Sequence, residues 1–173
     1  SFLWYEHGNL TQQLIRRGKF GGAAEPEVLR RLTREAAYEM LESNMLEDVD
    51  RIIPVPLHPR RLRERGFNQA EIIAQELSTI TGIPLDTTHL YRTRYNAHQV
   101  GLGKQDRAKN SQQLFALRYP EDLYRQRILL VDDVITTGNT ILSCAKAMYA
   151  ARGSKVLVFA LAKARRTINN HKI

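Results

Sequence analysis

Apolar positions along the chain fall into two kinds of run. Residues Ile128, Leu129, Leu130 and Val131 are continuously apolar with β-branched members, and residues 156–162 form a second such run. Both are expected of strands in a parallel sheet covered on both faces. Ile52 and Ile53 mark a third strand over residues 51–55, ended by Pro54 and Pro56, which cannot donate ladder hydrogen bonds. Between the strands the spacing is helical. Leu29, Leu32, Ala36 and Met40 predict an amphipathic helix from Pro26 to about Met45, and Ala70, Ile73, Ala74, Leu77 and Ile80 predict one over residues 67–81, closed by Gly82 and Pro84. Ile141, Ala145, Met148 and Tyr149 predict a third over residues 140–151, stopped by Gly153. Met40, Met148 and Tyr149 read as core. A short helix is expected over residues 9–17, with Leu10, Leu14 and Ile15 on its apolar side, before Gly18, Gly21 and Gly22 break it.

Residues 58–66 read as a loop, and between Leu85 and Leu117 the apolar density falls, so that no long element fits there and a flap beside a site is expected. Strands alternating with helices predict an α/β fold with a mainly parallel central sheet. The expected division is a helical or hood segment over residues 1–48 packed on a core over residues 49–173, as one globular unit.

With 173 residues and 43% hydrophobic content, the chain has enough apolar surface for one full core. No apolar stretch is long enough to span a bilayer, so a soluble, cytoplasmic protein is expected. The chain begins at Ser1 rather than Met, as expected of a processed or shortened chain. Cys144 is alone, which excludes a disulfide framework or a Cys-ligated zinc site built from this chain and predicts a buried structural thiol. The net charge of +8 suits polyanionic partners without choosing among them. Its positives gather at Arg60, Arg61, Arg63 and Arg65, at Arg92, Arg94, Lys104, Arg107, Lys109 and Arg118, and in a tail with Lys163, Arg165, Arg166 and Lys172, for which a solvated role is an equal reading.

The chemistry concentrates in RILLVDDVITTGNT, residues 127–140. Asp132 and Asp133 are expected at the carboxyl end of a buried strand, the edge at which open α/β sheets bind ligands. Thr136, Thr137 and Thr140 offer hydroxyls, Gly138 permits close backbone approach, and the N–H groups opening the next helix favour an anion. A monophosphate fits this loop. The two carboxylates then accept from sugar hydroxyls, directly or through magnesium, which favours oxygen ligands. A Walker B reading of the same strand needs a P-loop partner. Gly103-Lys104 is followed by Gln105 and has His98 where the first glycine is required, and Gly18-Lys19 is followed by Phe20 and has Gln13 there.

These residues bring a resemblance into view. DDVITTGNT after an apolar strand resembles the phosphoribosyl-pyrophosphate (PRPP) motif of type I phosphoribosyltransferases. IIPVPLHPRRLRERGFNQA at residues 52–70, the spacing Gln99, Leu102, Arg107, Asn110, Phe115, and the opening Tyr5, Gly8, Lys19, Phe20, Gly21 together resemble the ComF/GntX family, linked to natural competence and use of extracellular DNA. Members often begin with a Cys-rich zinc ribbon, which this chain lacks.

The resemblance implies a type I phosphoribosyltransferase fold with a flexible flap near residues 94–109. It implies 5′-phosphate binding by Thr136, Thr137, Gly138, Asn139 and Thr140, and pyrophosphate binding by Arg60, Arg61, Arg63, Arg65 and Lys104, since guanidinium groups pair well with phosphate oxygens. Asp132, Asp133 and Arg107 carry the implied catalytic roles, with magnesium at Asp132 and Asp133. The 6-oxopurine enzymes of the superfamily carry an Asp where Thr136 stands, so the resemblance argues against hypoxanthine-guanine salvage. His58 and His98 are alternatives for proton transfer or plain exposed histidines. Two functions follow as expectations. One is a magnesium-dependent phosphoribosyltransferase of unidentified acceptor, with a homodimer open. The other is a non-catalytic sensor of PRPP or a nucleotide, or a partner of single-stranded DNA and a competence helicase.

Overall fold

The computed structural model describes residues 3–5, 26–93 and 114–164. In chain order these form β1 (Leu3–Tyr5), α1 (Pro26–Glu42), β2 (Arg51–Pro54), α2 (Pro59–Arg65), α3 (Gln69–Thr81), β3 (Leu90–Arg92), β4 (Phe115–Leu117), a 3-10 turn (Pro120–Leu123), β5 (Arg127–Ile135), α4 (Asn139–Met148) and β6 (Lys155–Ala164). The short helix expected over residues 9–17 lies outside the described residues. The main sheet runs β1-β6-β5-β2 and every pairing in it is parallel.

Alternation along the central strands sorts the core into two layers. Ile52, Leu129, Val131, Phe159 and Leu161 pack against Leu29, Ala36 and Ala37 of α1 and Ile73 and Leu77 of α3. On the other face Ile53, Ile128 and Leu130 meet Cys144, Ala147 and Met148 of α4, with Leu90, Phe115 and Leu123. Cys144 is fully buried, as expected of a structural thiol. The covering helix α1 is fastened to α3 by polar contacts: Arg34 Nε donates to Glu76 Oε1 at 2.6 Å and Arg30 Nη1 to Oε2 at 3.4 Å.

Two expectations are corrected, for residues 59–65 and for Tyr149, and two are refined. Residues 59–65 form helix α2 and not loop: Pro59 occupies the first turn, His58 Nδ1 accepts from Arg60 N–H at 3.2 Å, and Gly66 ends the helix at φ 82°. The sparse region after Leu85 holds a small antiparallel pair, with Leu90 opposite Leu117 and Arg92 opposite Phe115. Tyr149 is 83% exposed rather than core, because α4 stops at Met148 and the ring falls in the turn beyond it. The sheet carries helices on both faces as expected, and among the described residues Leu157 and Val158 of β6 are exposed beside a cavity of about 440 Å³ bordered by Ala36, Met40, Met45 and Phe159.

Candidate functional site

The strand order fixes where a ligand is received. From β2 the chain passes through α2 to α3 on one face of the sheet, and from β5 it turns into α4 on the other. The crevice between the carboxyl ends of these neighbouring strands is a topological switch point, the usual ligand position in open α/β sheets. Register holds it shut at its base: Pro54 partners Val131, and Val55 N–H donates to the Val131 carbonyl at 2.8 Å.

Strand β5 runs further than the apolar pattern predicts. Asp132 pairs with Ala160, Val134 with Ala162 and Ile135 with Lys163, so the two aspartates lie within the ladder rather than past it. Neighbours on a strand project to opposite faces, which puts Asp132 on the α4 side with Leu130 and Asp133 on the α1/α3 side with Val131. Each is steadied by the next backbone amide: Asp133 N–H donates to Asp132 Oδ1 at 2.9 Å, and Val134 N–H to Asp133 Oδ1 at 2.8 Å. Burial foremost, then the negative charge of Asp132, pushes the Cys144 thiol up, with Arg92 opposing. That places Asp132, Cys144 and Arg92 in one electrostatic neighbourhood and makes the thiol inert at neutral pH.

The turn after β5 is shaped for an anion. Gly138 sits at φ 80° and caps α4 without a side chain, so no side-chain oxygen caps the amides that open the helix. The nearest approach is Asn139 N–H to Thr137 Oγ1, long at 3.5 Å. Thr136, Thr137, Asn139 and Thr140 are exposed around it. The hydroxyls of Thr136, Thr137 and Thr140 and the amides that open α4 thus lie together at the positive end of the helix.

Across the crevice stands α2. At helical spacing Arg61 and Arg65 share a side and are half-buried, whereas Arg60 and Arg63 are exposed, and Arg60 Nε is paired with Glu64 Oε1 at 3.0 Å. The helix therefore divides the four predicted arginines two and two. Arg92, which the sequence presented only as part of a basic cluster, joins the inner pair. Its guanidinium lies 5.5 Å from the Phe115 ring centroid, and its Nε–H is buried with no hydrogen-bond partner among the described residues. Burial first, then the positive charge of Arg61, lowers its pKa. The only sequence sign of it was its place at the end of the strand Leu90–Arg92.

Asn68 fastens the rear of the site: its Nδ2 donates to Val55 O at 3.1 Å, and its Oδ1 accepts from Ala70 N–H at 3.2 Å to cap α3. His58 is held at the start of α2. Lys104, Arg107 and His98, with the rest of the expected flap, lie outside the described residues, and β3 and β4 flank that segment on either side. Among the described residues no three His, Cys, Asp or Glu side chains gather to hold a metal by themselves. Because Asp132 and Asp133 project to opposite faces, a magnesium here would take one of these carboxylates at most and its remaining ligands from substrate oxygens and water.

The chain is similar to known proteins. Residues 62–172 match the family described as phosphoribosyl transferase domain, a match that begins inside α2. The chain is 34% identical over 137 residues to Competence protein F of Haemophilus influenzae, across 79% of this chain and 60% of that protein. It is 33% identical over 153 residues to DNA utilization protein YhgH of Escherichia coli (strain K12), across 87% of this chain and 66% of that protein. It thus spans less than two thirds of the length of these relatives. Among solved structures, a purine phosphoribosyltransferase from Pyrococcus horikoshii superposes with a TM-score of 0.50 at 21% identity, covering 76% of this chain and 73% of its own. The glutamine PRPP amidotransferase from B. subtilis superposes with a TM-score of 0.51 at 19% identity, covering 78% and 26%. At such identities the likeness speaks for the fold, which is that of a type I phosphoribosyltransferase.

Proposed function

The chain belongs to the phosphoribosyl transferase domain family, in its competence protein F-like branch, and from that premise we propose that it binds PRPP with magnesium and transfers the phosphoribosyl group to an acceptor in the use of extracellular DNA. A cytoplasmic location is part of the same proposal. The observation that carries the ligand assignment is the side-chain-free start of α4 at Gly138, directly after the strand that bears Asp132 and Asp133.

The 5′-phosphate is received by the backbone amides at 138–140 and the hydroxyls of Thr136, Thr137 and Thr140. Asp132, on the face that α4 covers, accepts from the ribose hydroxyls below it, while Asp133 projects to the other face of the sheet. The bond from C1 of the ribose to pyrophosphate breaks first, pyrophosphate leaving with the electron pair and the ring carrying positive charge, and the acceptor's lone pair then forms the new bond as the acceptor gives up its proton to solvent. Arg61, Arg65 and Arg92 receive the departing pyrophosphate, where guanidinium groups match its oxygens and its growing charge. No nucleophilic side chain is needed. Magnesium, when bound, neutralises pyrophosphate oxygens and screens the two carboxylates from the substrate's own charge. Thr136 has no carboxylate with which to take a proton from a purine base, so the acceptor is not expected to be a 6-oxopurine.

The test is thermal denaturation with PRPP and magnesium, followed by pyrophosphate release across a panel of bases and nucleotides. The wild type is expected to be stabilised by PRPP, and the Asp132→Asn plus Asp133→Asn protein is not. Absence of stabilisation in the wild type refutes the ligand. Stabilisation without turnover on any acceptor refutes the transfer and leaves a sensor of PRPP.

A further inference from the structure

Val156, Leu157, Val158 and Phe159 are uncharged and of high strand preference, a run that suits a strand flanked on both sides. They lie at an edge instead. Strand β6 is paired with β5 from Lys155 to Lys163, while on its other side β1 meets only Ala162, Lys163 and Ala164, in a register that, continued, would take in residues 160 and 161. Residues 155–159 therefore turn a row of backbone N–H and C=O groups away from the sheet, and among the described residues no main chain meets it. The opposite edge is closed: Ile52 N–H donates to Pro84 O and Asp86 N–H donates to Ile52 O, both at 2.9 Å. An open apolar edge is a template for a further strand.

Both faces of the sheet offer space beside this edge. Phe159 belongs to the layer on the α1 side, and alternation puts Leu157 there with it, against the cavity of about 440 Å³. Val156 belongs to the α4 side, where it borders a second cavity of about 320 Å³ with Met148 and Tyr149. Leu157 and Val158 are 38% and 40% exposed, so water covers apolar surface that a neighbouring strand would bury. Charge is divided across the edge. Lys155 opens the strand and Glu39 of α1 stands on the wall of the larger cavity, both exposed, and neither enters an ion pair among the described residues.

We propose that this edge receives the same edge of a second copy of the chain, joining two four-stranded sheets into one. Leu157 is the centre of the free stretch 155–159, so a twofold axis through it pairs the two edges antiparallel: Leu157 meets its own counterpart, Val156 meets Val158, and Lys155 meets Phe159. The axis is normal to the sheet and keeps the faces. Leu157 and Phe159 of both copies then cover the larger cavities, and Lys155 of each copy comes beside Glu39 of the other, on the cavity that Phe159 borders. Two ion pairs form, and the two Lys155 stand at opposite ends of the strand pair. A strand pair of this length buries less than the roughly 800 Å² per copy of a stable interface, and Met45 and Tyr149, exposed beside the two cavities, extend it. The edge lies at the amino end of β6, away from the crevice at the carboxyl ends of β2 and β5, and the pairing does not depend on the PRPP assignment.

The test is sedimentation equilibrium of the whole chain and its variants, with oxidative cross-linking through a cysteine placed on the axis. The wild type is expected at twice the chain mass. Leu157→Lys opposes two cations on the axis and is expected to raise the dimer dissociation constant by at least about tenfold, with the urea midpoint little changed because the position is exposed. Lys155→Glu weakens the dimer, and adding Glu39→Lys to it restores the dimer, which only a pairing of these two positions across the axis explains. Leu157→Cys associates as the wild type does when reduced and cross-links to a covalent dimer when oxidised, since Cα atoms opposed in an antiparallel pair stand about 4.5 to 5.5 Å apart, within the span of a disulfide. Cys144 is fully buried and takes no part. A wild type that stays monomeric at the highest concentration leaves the edge to some other chain and overturns the proposal. So does a dimer that survives Leu157→Lys, or one that does not cross-link through position 157.

Discussion

The side-chain amide of Asn68 donates to the main-chain carbonyl of Val55 at 3.1 Å while its oxygen caps α3 through Ala70 N–H. One buried residue thereby ties the end of β2 to the start of α3, across the span that carries α2. Asn68→Ala removes the cap and leaves the Val55 carbonyl without that donor, at a cost of about 1 to 3 kcal/mol. Asn68→Asp keeps the capping oxygen and loses the donor, so it is expected to fall between. Urea denaturation reads both. If α2 presents Arg61 and Arg65 to a ligand, PRPP affinity falls in the same order.

A second network sits at the other end of the same strand, where β2 begins. The Asp86 carboxylate, 4% exposed, faces Arg51 Nη1 at 3.2 Å and His89 Nδ1 at 2.6 Å. Burial alone would raise its pKa. Hydrogen bonds from Thr88 N–H, His89 N–H and the Thr88 hydroxyl, with the charge of His89, overcome that and hold it below the ordinary value. A carboxyl depressed in the folded state stabilises the fold above its unfolded pKa of about 3.9 and loses that contribution as pH falls through the folded value. Wild-type stability is therefore expected to drop below about pH 4. Asp86→Asn is expected to be less stable than wild type at pH 7, with the gap narrowing toward pH 3. Denaturation midpoints of both proteins across that range check the sign, and a constant gap contradicts it.

Much of this was legible in the sequence because it rests on local pattern. Leu129, Leu130 and Val131 announced a strand buried on both faces, and Gly138 after two aspartates announced the turn that opens α4. What was missed depends on partners far along the chain or on helix ends. Helix α2 has no apolar stripe to reveal it, and it forms through Pro59, the His58 cap and the left-handed Gly66. Strand β5 continues through the aspartates because β6 keeps supplying partners as far as Lys163. Arg92 is half-buried only because Phe115 and Arg61 close around it. Tyr149 keeps the helical spacing of a core residue, yet α4 ends one position too soon to bury it.

Gly138 separates fold from function in another way. A Cβ at this position meets nothing within 4 Å, so space is no obstacle to Gly138→Ala, but its φ of 80° is. The left-handed conformation costs a residue with a side chain about 1 to 2 kcal/mol. The variant is expected to fold with that modest loss, while any relaxation of the turn misaligns the amides that open α4. Thermal shifts with inorganic phosphate and with PRPP should both shrink by more than the stability loss explains. Unchanged ligand shifts in a destabilised variant would show that the turn does not hold the anion.

Arg92 carries the sharpest trade between stability and binding. Its guanidinium is half-buried beside Arg61, its Nε–H has no hydrogen-bond partner among the described residues, and its compensation is the Phe115 ring. A cation so placed is costly to keep, and a long apolar side chain of similar reach fills the same space without that cost. Arg92→Met is therefore expected to leave stability unchanged or raise it by about 1 kcal/mol, against the general tendency of core substitutions to destabilise. The same change removes a guanidinium proposed to meet pyrophosphate, so affinity for PRPP and for free pyrophosphate should fall at least tenfold, about 1.4 kcal/mol at room temperature. Affinity for ribose 5-phosphate, which has no pyrophosphate, should stay within about twofold, well inside that tenfold margin. Urea denaturation and titration calorimetry with the three ligands decide it: a destabilised variant with unaltered pyrophosphate affinity would make Arg92 a structural residue and remove it from the site.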